Sequence, residues 1–163
     1  MNTNFPLNRH YKFLCFHLTP EIQAMLSTNM IREIIKIAPN HIVPIYGVLS
    51  SVMGVYHRRG EVLWVVDLAC LFTLSPFLQE SYHNPYSIIV MRQDNKVIGL
   101  AVRQIGQLIS YADLKPPEVL IKSIPWELAY CLNSEHQGKE KQLFLQLEGE
   151  KIFDLLKKKQ LSY

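Results

Sequence analysis

Arg58 and Arg59 stand side by side before Gly60, inside the stretch GVYHRRGEVLWVVDLACLF (54–72). A guanidinium there can do two kinds of chemistry. Its planar fork can pair bidentately with a carboxylate, and beside an aromatic such as Tyr56 it can help hold a nucleotide base. The apolar run that follows breaks on one acid, Asp67. Elsewhere the reactive residue types do not gather. The six histidines, His10, His17, His41, His57, His83 and His136, show no zinc-site spacing to another His, Cys or acid. Cys15 and His17 lie two apart, on one face of a strand, where a thiolate–imidazole pair is conceivable. A buried thiol beside an ordinary histidine accounts for the same pattern. There is no glycine-rich phosphate loop, no G-x-S-x-G elbow and no Walker pattern. Glu61 and Asp67 flank one strand, but two acids make no acid–base pair without a cleft. The residues therefore predict no enzyme, no catalytic residue, no metal and no cofactor.

Size and charge set the frame for the elements that carry these residues. The chain has 163 residues, 48% hydrophobic and 19% charged, with a net charge of +3. That composition supports one folded domain and argues against disorder. The charge is too mild to mark a nucleic-acid binder, and Lys157, Lys158 and Lys159 supply much of it, as a helix end would. Three separated cysteines, Cys15, Cys70 and Cys131, read as free thiols of a reducing compartment. No secretory signal pattern or membrane-length apolar run is present, so the expected location is the cytoplasm.

Short strands dominate the pattern. HYKFLCFHL reads as a strand buried on both faces. IQAMLSTNMIREIIKI has helix-like spacing, but its isoleucines favour a strand at the end. APNHIVPIYG is a loop, with Ile45 and Val48 expected in the core. Two strands flank the turn at Arg58, Arg59 and Gly60, and a short helix should start at Asp67. PFLQESYHNP is a linker. SIIVM and VIGLAV form a hairpin around Asp94 and Asn95. LKPPE is a stiff connector, IPWELAYCL is strand-like, and NSEHQGKEK is a polar loop. QLFLQL is a last strand and EGEKIFDLLKKK a closing helix. No short-period internal repeat is evident. The tally predicts a mainly β, barrel-like architecture.

The stretch IVPIYGVLSSVMGVYHRRGEVLWVVDLACLF resembles the signature region of CheW-like domains, through Pro44, Gly47, Gly54, Val55, Arg59, Gly60, Asp67 and Leu68. MIREI resembles the family's acid-ended strand and places Glu33 there. The central hairpin puts Gly99 in the family's slot, and QLFLQLEGEKIFDLL resembles its last strand and helix, with Glu148 where the family usually has Asp. The resemblance runs from Tyr11 to Leu156. It implies one domain over 8–158, built as two intertwined five-stranded β-barrels with short helices, with 1–7 and 159–163 as mobile termini. It implies an adaptor that couples a methyl-accepting chemoreceptor's helical tip to a CheA-type histidine kinase. The system would be chemotaxis, phototaxis or pilus motility, without nucleic acid and without insertion into the membrane.

By that resemblance Arg59 lies near a receptor groove between the barrels, lined or flanked by Ile31, Glu33, Gly54, Gly60 and Gly99. Arg59 either pairs internally, with Glu33 as the best candidate, or reaches a partner's acid. Arg58 is read as a solvated rim charge and Asp67 as mainly a helix cap, each with partner contact as the other role. Gly54 and Gly60 serve equally as bulge and turn glycines. The competing readings are a histidine-kinase scaffold of another two-component pathway, a small nucleic-acid-binding barrel using Tyr56, Arg58 and Arg59, and a thiol enzyme around Cys15.

Overall fold

The computed structural model describes residues 12–74, 84–118, 123–159 and 161. The expected terminus 1–7 and most of the expected linker PFLQESYHNP lie outside the described residues. The strands are β1 (Phe13–His17), β2 (Gln23–Ser27), β3 (Ile31–Ile37), β4 (Val52–Arg58), β5 (Glu61–Asp67), β6 (Tyr86–Gln93), β7 (Lys96–Val102), β8 (Gln104–Ile109), β9 (Leu132–Gln137) and β10 (Leu143–Leu147). The helices are α1 (Leu68–Leu71), α2 (Trp126–Cys131) and α3 (Gly149–Lys158). Two five-stranded sheets result, ordered β8-β1-β2-β10-β9 and β3-β6-β7-β5-β4. The mainly β expectation therefore holds, as does the pair of intertwined five-stranded units.

Each sheet combines a hairpin from one half of the chain with three strands from the other. The pairing directions are the same in both: antiparallel, antiparallel, parallel, antiparallel. The match extends to single residues. Asp67 and Glu148 hold the same position, as N-caps of α1 and α3 at the ends of β5 and β10. Counting back from these caps makes the parallel pairs Trp64–Ile98 and Leu145–Ala24 equivalent. From there the registers run in step, and Ile34 opposite Ile89 corresponds to Leu108 opposite Leu14. Even the irregularity between Ile31 and Glu33 has its counterpart, opposite Leu14 and Phe16. After each leading edge strand the chain makes a 3-10 turn and bridges back to the far edge. Val43 pairs with Val55 in one sheet, and Lys115 pairs with Gln137 in the other.

Apolar burial joins the two sheets. One cluster draws on Leu14, Phe16 and Leu26 of the first, Val66, Ile89 and Met91 of the second, and Ile152, Phe153 and Leu156 of α3. Fully burying side chains of this size contributes about 1.5–3 kcal/mol each. Neither sheet has this core without the other. Smaller clusters fill each sheet's own interior.

Two expected elements are corrected, and one expected core residue. IPWELAYCL is a helix over Trp126–Cys131, because Glu127, Leu128 and Cys131 share one buried side and Leu and Ala favour helix. NSEHQGKEK is no simple loop, since Asn133–Gln137 belongs to β9, an edge strand with Asn133 exposed, Ser134, Glu135 and His136 half-buried and Gln137 buried. Ile45 is 38% exposed rather than core, whereas Val48 is half-buried against the shared cluster. Lys159, read as the start of a terminus, follows α3 directly and pairs with buried Glu127.

Gly54 sits at the bulge of β4, with φ +146°. A Cβ there would stand 2.2 Å from the Val43 carbonyl oxygen, so only glycine lets the Val43–Val55 bridge form. Gly47 has φ +77° but open space around it. Gly47→Ala should cost on the order of 1 kcal/mol of backbone strain, and Gly54→Ala clearly more. Urea unfolding followed by circular dichroism checks the ranking, and equal midpoints for the two variants would refute it.

Candidate functional site

The β4–β5 hairpin turns through Arg59 and Gly60, with φ of 48° and 77°. Both central residues are left-handed, which is the type I′ geometry that matches strand twist in a two-residue loop. Arg58 is the last residue of β4, and its side chain meets Glu33 of β3. The contact is bidentate. Nη1 donates to Oε1 and Nη2 donates to Oε2, the latter at 2.7 Å. The two side chains are 21% and 30% exposed. Hydrogen bonding to Arg58 holds the Glu33 carboxyl below the usual carboxylate range, against the opposing pull of desolvation. Coulomb attraction to Arg58, then to Arg59 and Arg32, adds to the lowering.

The partner of Glu33 is therefore Arg58, which is no solvated rim charge. Arg59 occupies the turn itself and makes no ion pair among the described residues. Strand position separates the two arginines. A residue still in the ladder can lie across to β3, whereas the left-handed turn residue leaves the ladder and stays exposed. An outer pair, Arg32 with Glu61 at 3.7 Å, is 41% and 70% exposed and contributes little. These charges surround a narrow cleft of about 40 Å³ floored by Leu63, Val90 and Val97, with Val62 on its rim at 51% exposure.

The remaining expected residues fall elsewhere. Gly54 and Gly99 flank Val65 on its two sides, in one row across the sheet. Both are buried, and a Cβ on Gly99 would meet Ile88 at 2.8 Å and Leu63 at 3.2 Å. Ile31 is half-buried against the shared core. Gly60 is the open turn glycine. Asp67 caps α1, accepting the Cys70 N–H at 3.1 Å, and its burial pushes its pKa up. Sequence reasoning missed Arg32, Glu61 and the Val62 rim. The alternation of β5 was the available signal, since it puts Val62 opposite in facing to the buried Leu63.

Two competing readings lose their geometry. Tyr56 is half-buried and packs against the interior cluster of its sheet rather than standing out beside the arginines as a stacking platform would. Cys15 is buried, and desolvation pushes its thiol up to about 12, so it holds no thiolate at neutral pH. Among the described residues no helix is long and apolar enough to cross a membrane.

A family model described as CheW-like domain matches residues 12–154. No curated protein matches the chain in sequence. In three dimensions it resembles the scaffolding protein TtCheW from Thermoanaerobacter tengcongensis, with a TM-score of 0.63 at 18% identity. That match covers 85% of this chain and 88% of the other.

Arg58→Ala should lower stability at neutral pH, while Arg59→Asn should leave it unchanged or slightly raise it, because Asn-Gly suits a type I′ turn. Glu33 has a folded pKa below its unfolded one, so its stabilising contribution is complete above the ordinary carboxylate pKa of about 4.3. It is lost as pH falls through the lowered folded value. Urea midpoints of wild type and Glu33→Gln should thus differ at pH 7 and converge toward pH 2. A gap that persists at pH 2 would exclude the ion pair as its origin.

Proposed function

The chain belongs to the CheW-like domain family, and we propose that it is a non-catalytic cytoplasmic adaptor coupling a chemoreceptor's helical tip to a CheA-type histidine kinase. The observation that carries this reading is the division of labour between neighbouring arginines. Arg58 is spent on Glu33 and fixes the hairpin against β3. Arg59 is left at the mouth of the cleft without an ion pair among the described residues, next to the exposed Val62. Arginine beside apolar surface is the usual make-up of an energetic centre in an interface.

A receptor helix laid across this face would meet Val62 with an apolar side chain and Arg59 with a carboxylate, in the manner of helix-in-groove binding. The kinase engages a different surface. In this reading Gly54 and Gly99 act indirectly, by letting the strands under the cleft approach closely, and Ile31 anchors the start of β3. A nucleic-acid partner finds no stacking platform here, and its binding would fall steeply with salt.

Pull-downs with the receptor tip and the kinase regulatory domain from the same genome test the assignment. Arg59→Asn keeps the turn and removes the charge, and it should weaken receptor binding by about tenfold. Kinase binding should stay within about twofold. Unchanged receptor binding would remove the cleft from the receptor site. Kinase binding by wild type without any receptor binding would favour the scaffold of another two-component pathway.

A further inference from the structure

The register match between the two sheets gives the Glu33–Arg58 cleft a counterpart. Leu63 corresponds to Phe144, and the β4 partner of Glu61, Arg58, corresponds to the partner of Gln142, Gly138. Glu33, one residue before Ile34, corresponds to Gln107, one residue before Leu108. The second cleft lies where this predicts, between β8 and the β9–β10 turn, and Gln107, Gly138 and Phe144 all line it. Here the carboxylate is replaced by an amide and the arginine by a glycine. The lock is missing, and the cleft opens to about 540 Å³ against about 40 Å³ for the first.

We propose that this second cleft is a docking socket for an arginine side chain of a partner protein. The floor of Ile109, Leu114 and Phe144 suits the methylenes of an arginine stem. The acceptors are the side-chain carbonyl of Gln107 and the carboxylates of Asp113 and Glu140, which now accept exposed hydrogen bonds from Ser110 at 3.2 Å and Gln142 at 3.4 Å that an arginine would share or displace. The one cation lining the cleft among the described residues, Lys139, is 81% exposed and sits 3.5 Å from Asp113, a pair weak enough to exchange. Lys115 and Lys141 adjoin lining residues in sequence but do not line the cleft. Arginine fits better than lysine because its fork spans two acceptors, as Arg58 does on Glu33 in the filled cleft. The chain's own Arg58 thus shows what the empty position receives.

The probe is the peptide acetyl-Leu-Arg-Leu-amide, titrated into the full ¹⁵N-labelled chain and followed by amide shifts. Its citrulline and lysine analogues serve as comparisons. Saturable shifts should appear at the Gly138 backbone and at the Gln107 and Gln142 side-chain amides. The citrulline peptide should bind at least about fivefold more weakly, and the lysine peptide more weakly than arginine. Asp113→Asn with Glu140→Gln should weaken the arginine peptide at least about threefold while leaving the spectrum folded. Gln107→Glu with Gly138→Arg rebuilds the internal lock and should abolish the shifts. A Cβ at 138 meets the movable Gln142 tip at 2.8 Å and the Phe144 ring at 2.9 Å, so if that variant does not fold the surface double variant decides alone. Non-saturating shifts, equal affinity for the citrulline peptide, or shifts confined to the Arg59 cleft would overturn the proposal.

Discussion

Two parallel strand pairs hold the molecule together: β5 with β7, and β2 with β10. Each joins strands from opposite halves of the chain, so the backbone ladder itself fastens one half to the other. Parallel neighbours cannot be joined by a tight turn, and the chain must travel far between them. That travel produces the exchange. The three-strand run of each half completes the sheet begun by the other, and the shared core follows because no surface remains on which either sheet could close alone. The short helix after β5 and the long one after β10 begin at equivalent caps and cover the seam.

Local rules made much of this visible in the sequence. Positive-φ demand at Gly60, strand alternation in VLWVV and the capping acid Asp67 each act within a few residues, and each was readable. The spacing of Asp94 and Asn95 fixed the central hairpin in the same way. The family resemblance supplied what local rules do not, namely the pairing of five strands in each of two units. Glu33 was readable as a partner for an arginine, but not for which one. That choice depends on whether position 58 or 59 still belongs to the ladder, a matter of one residue in turn length. α2 and β9 were misread because Trp126–Cys131 carries aromatic and apolar residues that suit either state, while β9 is too polar to look like a strand. Only the edge position of β9, beside β10, accounts for it. The repeat stayed hidden because equivalent positions keep register and burial rather than residue type, as Leu63 with Phe144 and Glu33 with Gln107 show.

The two clefts illustrate how little sequence change redirects a shared frame. The same bulge, edge strand and hairpin recur, yet one position holds a self-satisfied ion pair and the other a gap beside polar acceptors. A bidentate pair consumes its own hydrogen-bonding capacity and stiffens the hairpin. Its absence leaves a wider cleft whose acceptors are held only by exposed local partners, Ser110, Lys139 and Gln142. The loop is one residue longer on the open side, and its first residue, Lys139, pairs with Asp113, whereas Arg59 at the matching place makes no ion pair among the described residues.

The exchanged pairing also bears on how the chain is made. β2 emerges from the ribosome early, but its parallel neighbour β10 is among the last strands to appear. Until then the first hairpin has an unpaired edge and an exposed Leu14–Phe16–Leu26 surface, the kind of intermediate that recruits holding chaperones or associates with its own kind. The second sheet has no such wait beyond β7, since β3, β4 and β5 precede it. Vectorial synthesis thus favours completion of the Arg59-bearing sheet first, leaving the final helix to bring in the strand that seals the other.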